Sequence, residues 1–196
     1  MTDQTQAVVL VVDDEPDVAD AYATHIREQD RYEVRTAYSG ETAMEALDES
    51  VDVVLLDRRM PGLPGDEVLE RLRERGLDCR VAMVTAIDAD FDIIDMPFDD
   101  YVVKPVTRTD LLGTIDRLMQ FAEYERTLRE YYRVSRKYAT LSATKSESEL
   151  AESEEFERLQ RRRESLRDDL TDTVADLGGD DFEALFREFE DGPPIE

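Results

Sequence analysis

Of the chain's 196 residues, one is a cysteine, Cys79, and one is a histidine, His25. A single cysteine excludes an intrachain disulfide framework and any zinc cluster built on thiolates. A single histidine removes most catalysis that depends on an imidazole. No apolar run approaches the roughly 20 residues that a membrane-spanning helix needs. The opening MTDQTQAVV has neither the basic stretch nor the cleavage pattern of a secretory signal. These absences point to a cytoplasmic protein without a membrane partner. Lysine is scarce too, with only Lys104, Lys137 and Lys145.

What the chain has in excess is negative charge. Asp and Glu number 49 against 24 Lys and Arg, a formal net charge of -25. Hydrophobic residues at 41% suffice for a packed core, which argues against wholesale disorder. The length suits one ordinary domain plus something smaller. Abundant carboxylate with little lysine resembles a halophilic surface, where molar salt screens self-repulsion. A merely acidic mesophilic surface is the alternative. Either way, global acidity argues against broad non-specific binding to nucleic acid.

Up to about residue 106, short apolar runs alternate with stretches of helical period. The runs are Ala7–Val12, Glu33–Ala37, Val51–Leu56, Arg80–Val84 and Tyr101–Val103. Between them the pattern predicts helices over Asp17–Gln29, Gly40–Asp48, Asp66–Arg75 and, weakly, Ala89–Asp95. Such alternation implies βαβ units, a parallel sheet and helices on both faces. Ligands in sheets of this kind bind beyond the carboxyl ends of the strands. Those ends carry Asp13-Asp14, Asp57, Thr85 and Lys104-Pro105.

Three carboxylates at one sheet edge repel one another, a cost that makes sense around a hard divalent cation. Mg²⁺ prefers a few carboxylates with water and phosphoryl oxygens. Such a cation and the Lys104 ammonium could balance charge on a phosphoryl group in transfer, with Thr85 donating a hydrogen bond. Asp57 is then the nucleophile that forms an aspartyl phosphate. Taken singly, the acidic pair could be a helix cap, Asp57 a loop residue, and Lys104-Pro105 a strand end. Four strand ends in register favour the joint reading.

Asp13-Asp14 in VVDDEPD, Asp57 in LLDRRMPGLPG, Thr85 in MVTA and Lys104 in DYVVKP resemble the receiver domain of two-component response regulators. Met60-Pro61 and Gly65 match the loop after the phosphoacceptor. The resemblance implies phosphorylation of Asp57 by the phosphohistidine of a sensor histidine kinase. It implies a Mg²⁺ site of Asp13, Asp14, Asp57 and the Arg59 carbonyl. Thr85 and Lys104 become phosphoryl sensors, and Tyr101 a switch aromatic whose alternative is a buried edge tyrosine. The family acts through a face made by its fourth helix, fifth strand and fifth helix. Here the stretch from Thr85 to Lys104 is about a helical turn short and contains Pro97, so a short or irregular fourth helix is expected. Arg58 and Arg59, long and charged beside Asp57, could shield or tune hydrolysis. A magnesium phosphohydrolase would also use an aspartyl nucleophile, but it usually has a second Asp where this chain has Arg59.

Beyond Pro105 the pattern changes. Thr107 with Asp110 starts a helix, and no glycine or proline interrupts Thr114 to Leu177. Phe121, Tyr124, Leu128, Tyr131, Ser135 and Tyr138 alternate at three and four residues. After a capping box at Ser146 and Glu149, the series from Phe156 to Leu177 repeats the alternation. Two long amphipathic helices joined near Ser142–Ser146 are expected, with a third, short helix over Phe182–Phe189 after Gly178-Gly179. LREYYRVSRKYATL and the following SESELAESEEFERL resemble the HalX domain of haloarchaeal regulators, which are associated with transcription. The expected class is therefore α/β: a doubly wound, flavodoxin-like, five-stranded parallel receiver over residues 1–122. An all-α hairpin over 123–191 follows it.

Arg126, Arg129, Arg133, Arg136 and Lys137 form a basic stretch that could meet nucleic-acid phosphates. The favoured alternative sets them against Glu147, Glu149, Glu152, Glu154, Glu155 and Glu157, fixing the register of the hairpin. Hairpins of two chains could also form a four-helix homodimer. Without a histidine, the hairpin cannot relay phosphate as a kinase hairpin does. The output is then expected to be transcriptional, through DNA or the transcription machinery. A signalling adaptor that dimerises or docks without DNA is the alternative.

Overall fold

The computed structural model describes residues 6–86 and 90–176. Five parallel strands, β1 (Ala7–Val12), β2 (Tyr32–Ala37), β3 (Val53–Leu56), β4 (Arg80–Thr85) and β5 (Asp100–Val103), form one sheet in the order β2-β1-β3-β4-β5. Helices α1 (Pro16–Arg27), α2 (Gly40–Ala46) and α3 (Gly65–Glu74) follow the first three strands. This is the flavodoxin-like order, with the direction of winding reversing between β1 and β3.

Both faces of the sheet are covered, which is why the strands read as unbroken apolar runs. Along β1, Val8, Leu10 and Val12 join Val54, Leu56, Val81 and Met83 in one core with residues of α2 and α3. Val9 and Val11 point the other way, with Val53, Leu55, Ala82 and Val84, against α1 and the start of the long helix α4 (Arg108–Thr144). Leu111, Ile115 and Leu118 of α4 are fully buried there. Between β4 and β5 the described residues form only a 3-10 turn, Phe91–Ile93. In its described residues the shortened connection is thus irregular, as expected.

The chain divides into two compact units at Met119/Gln120, and α4 runs on through the division. In the second unit α4 and α6 (Glu154–Asp176) lie antiparallel, with Glu130 paired to Arg162 and Tyr138 stacked on Phe156 at 5.1 Å. Val134 and Leu166 are buried between them. Val134 lies one residue before the expected seam position at Ser135.

The expected second helix from Ser146 is corrected. Ser146 and Glu149 do form a reciprocal capping box, but it starts a five-residue helix, α5 (Glu147–Ala151). Ser153 then accepts a hydrogen bond from the Phe156 amide at 3.2 Å and starts α6 anew. Two strong caps within eight residues divide what one periodicity suggests is continuous. The Phe182–Phe189 helix and the Gly178-Gly179 stop lie outside the described residues.

Candidate functional site

Asp13 follows the last residue of β1, and Asp57 follows the last residue of β3. Their amides stay in the ladder, Asp13 N donating to Ala37 O at 3.1 Å and Asp57 N to Val12 O at 2.9 Å. The side chains are thereby presented at the reversal point of the sheet. Asp13 is 2% exposed and Asp57 7%, so each carboxylate needs compensation within the protein.

Lys104 supplies it. Its Nζ donates to Asp13 Oδ2 at 2.6 Å and to Asp57 Oδ2 at 2.7 Å. Burial alone would lower the pKa of this ammonium, but the hydrogen bonds to Asp13 and Asp57 outweigh it and the net direction is upward. The other carboxylate oxygens accept from the backbone, Asp13 Oδ1 from Glu15 N at 3.0 Å and Asp57 Oδ1 from Arg59 N at 3.2 Å. Asp14, half-buried, brings a third carboxylate. One oxygen from each of the three residues lies within 4.8 Å of the others.

Thr85, 1% exposed, ends β4 beside this group, and its carbonyl accepts from Lys104 N at 2.8 Å. Asp13, Asp14, Asp57, Thr85 and Lys104 are therefore brought to one sheet edge. Tyr101 is not among them. It is half-buried against the core, its ring 5.6 Å from that of Phe98. The Arg59 amide faces Asp57, while its side chain is exposed.

Arg58, beside Asp57, has a side chain that is only 8% exposed. Its Nε donates to Asp66 Oδ1 at 3.0 Å and its Nη2 to Asp66 Oδ2 at 3.3 Å, tying the loop to the first turn of α3. Gly65 belongs to the same construction. A Cβ there would lie 2.1 Å from the Asp57 carbonyl oxygen, and Gly65 N donates to Arg58 O at 2.9 Å. Glu41 Oε1 holds the other side of the loop by accepting from Leu63 N at 3.1 Å.

Asp66, Glu41 and Tyr22 were not legible as site residues, since their roles depend on separate elements meeting. Tyr22 of α1 is held above its usual pKa, first by burial; Lys104 works against this, and Asp13 and Asp57 reinforce it. His25 is half-buried on the same helix. Cys79 is buried, at 3% exposed.

Among the ion pairs of the described residues, the basic stretch pairs along its own helix and not across the expected seam. Arg126 pairs with Glu123 and Arg129 with Glu125 along their own helix. Glu149, Glu155 and Glu157 likewise pair locally, with Lys145, Arg158 and Arg161. Across the hairpin the ion pair runs the other way, from Arg162 of α6 to Glu130 of α4. The side chains of Arg133, Arg136 and Lys137 make no ion pair among the described residues.

Comparison with known proteins agrees with this arrangement. Residues 9–116 match the family described as the response regulator receiver domain, and residues 120–186 match the HalX domain. A candidate transcriptional regulator of Haloferax volcanii is 48% identical over 162 residues, covering 83% of this chain and 28% of that protein. The response regulator SaeR of Staphylococcus aureus is 32% identical over 57% of this chain and 50% of its own length. The chain thus spans less than a third of the first relative and half of the second. Among solved structures, the receiver protein of Methanospirillum hungatei has a TM-score of 0.57 at 25% identity, covering 62% of this chain and 99% of its own. The response regulator TrrA of Thermotoga maritima, solved with Mg²⁺ and a beryllium fluoride, has a TM-score of 0.50 at 30% identity, covering 58% and 99%.

Proposed function

Because the chain belongs to the response regulators, with a receiver domain followed by a HalX domain, we propose that Asp57 accepts a phosphoryl group from a sensor kinase and that the hairpin carries the change to transcription. The observation that bears most weight is the bridge from Lys104 to Asp13 and Asp57 at 2.6 and 2.7 Å, beside a third carboxylate. One ammonium cannot balance three carboxylates, and the donors are all hard oxygens, which suits Mg²⁺. Asp13, Asp14, Asp57 and the Arg59 carbonyl would hold it. When bound, Mg²⁺ supplies positive charge to the phosphoryl oxygens.

The protein's own part is placement. Asp57 forms the new O–P bond as the P–N bond to the donor's phosphohistidine breaks, and its buried surroundings limit water. Lys104, already beside the Asp57 oxygen, meets the charge on the incoming group. Thr85 sits one strand away to sense it, and Tyr101 in β5 relays the change. The same groups would serve slow hydrolysis of the acyl phosphate. The proposed setting is the cytoplasm; no helix among the described residues is long and apolar enough to cross a membrane.

Incubation with acetyl phosphate tests the site. Wild type should label in a Mg²⁺-dependent manner and Asp57→Ala should not; labelling that survives the substitution overturns the assignment. A crosslinked pull-down at native salt tests the output, which rests on the HalX match and the Haloferax relative. DNA enriched at discrete loci with wild type but not Asp57→Ala supports it. Protein partners without enriched DNA replace transcription by an adaptor role.

A further inference from the structure

Along α6 the charges are sorted about one residue, Ser165. Arg158, Arg161 and Arg162 stand seven, four and three residues before it. Asp168, Asp169 and Asp172 stand three, four and seven residues after it. Steps of three and four residues put all seven side chains on one face of the helix, and all seven residues are exposed.

Within one chain this order is unfavourable. It sets Arg158 four residues from Arg162 and Asp168 four from Asp172, like charges on neighbouring turns. The arginines are compensated locally, by Glu155, Glu157 and, from α4, Glu130. The aspartates are not. Asp169 and Asp172 make no ion pair among the described residues, and Asp168 has only its neighbour Arg167, at 3.4 Å. A helix that used these charges for its own stability would interleave the signs.

Across a two-fold axis the same order becomes favourable. An antiparallel copy of α6 centred on Ser165 sets each residue against the one equally far on the other side. Arg158 then meets Asp172, Arg161 meets Asp169 and Arg162 meets Asp168, and the axis makes each pair twice. A parallel copy would set arginine against arginine and aspartate against aspartate. A nucleic acid would meet aspartates over half of the stripe. We propose that this face of α6 is a self-docking surface, by which two copies of the chain lay their α6 helices antiparallel about Ser165. The small serine at the axis lets the two backbones approach. Exposed charges set orientation more than strength, so the association is weak and salt-dependent. It does not rest on phosphoryl transfer at Asp57, and no phosphodonor is needed to observe it.

Full-length Ser165→Cys tests the axis. Helices packed about 8–10 Å apart hold facing Cα atoms at about 5 Å, within the span of a disulfide. Cys79 is buried, and burial pushes its thiol up to about 11, so the introduced cysteine reacts first. Mild oxidation should link Ser165→Cys chains into dimers faster than Gln160→Cys, an exposed position of α6 off the stripe. Charge reversal tests the pairing. Asp169→Arg with Asp172→Arg makes the stripe mainly basic, and Arg158→Asp with Arg161→Asp makes it mainly acidic. Alone, each double variant should self-associate at least about tenfold more weakly than wild type in sedimentation, at the lowest KCl that preserves the wild-type circular dichroism. Mixed in equal amounts, the two should recover wild-type association, which misfolded chains would not do. A monomeric wild type, equal linking through Gln160→Cys and Ser165→Cys, or a mixture that fails to recover overturns the proposal.

Discussion

Lys104 holds its charge against two carboxylates almost wholly withdrawn from water, and removing it exposes what the site costs. Lys104→Met leaves Asp13 and Asp57 buried without a cation, a loss of about 3 kcal/mol by comparison with other broken buried pairs. Millimolar Mg²⁺ should recover part of that loss in the variant, as read from urea midpoints with and without the ion; equal midpoints would refute the site. The raised pKa of Lys104 sets the sign of its pH dependence. Its contribution is complete below about 10.5, the value in the unfolded chain, and fades as pH rises through the higher folded value. Gly65 is a steric requirement in the same place. Gly65→Ala would drive a Cβ to 2.1 Å from the Asp57 carbonyl. It should both lower stability by more than about 1 kcal/mol and slow acetyl phosphate labelling, because the loop must shift. Cys79 gives a simpler check. Ellman's reagent at pH 8 should modify it only as fast as the chain opens, since the thiol is buried and its pKa is raised to about 11.

Helix starts decide the second unit more than hydrophobic period does. The five strands and the three helices between them were legible because each strand is a short apolar run closed by a turn. Their boundaries shift by only a residue or two, as with β5 at Asp100–Val103. The strand-end residues were legible for the same reason, since parallel strands present their last residues together. The absence of glycine and proline from Thr114 onward made a helix running through Met119 legible, but period alone could not show where the two units divide. Nor could it show that Ser153 outcompetes the Ser146 box as the start of α6. The consequence is testable: Ser153→Ala should destabilise the chain by about 1 kcal/mol in urea unfolding, with helical signal lost first. An unchanged midpoint would mean that the preceding turn holds α6 without the cap. Contacts between distant residues were least legible. Asp99 accepts from Arg73 at 2.8 Å and from Arg80 at 2.6 Å, and Arg73 also donates to Cys79 O and Pro97 O. That network anchors the stretch before β5, where a 3-10 turn is the only described helical element.

At the scale of the whole molecule, the charge of -25 is the largest feature that no single pairing explains. Many ion pairs, such as Arg71 with Glu67 and Arg161 with Glu157, are local and exposed, so each of these contributes little. They leave the excess carboxylates to repel one another across the surface. In dilute buffer this repulsion favours any expanded state, and salt weakens it as the screening length falls from about 10 Å at 0.1 M to about 3 Å at 1 M. Raising KCl from 0.1 to 2 M should therefore raise the thermal midpoint by several degrees, and most of the gain should come below 1 M, where screening changes fastest. Sodium sulfate would also strengthen apolar burial, so KCl is the cleaner titrant. The Lys104 bridge should respond less than the surface, because its charges are paired at 2.6 and 2.7 Å and largely withdrawn from solvent. Lys104→Met should accordingly lose a similar amount of stability at both salt concentrations. A midpoint indifferent to KCl would mean that the carboxylates are already accommodated by the fold, and that the acidic surface is a matter of solubility and not of stability.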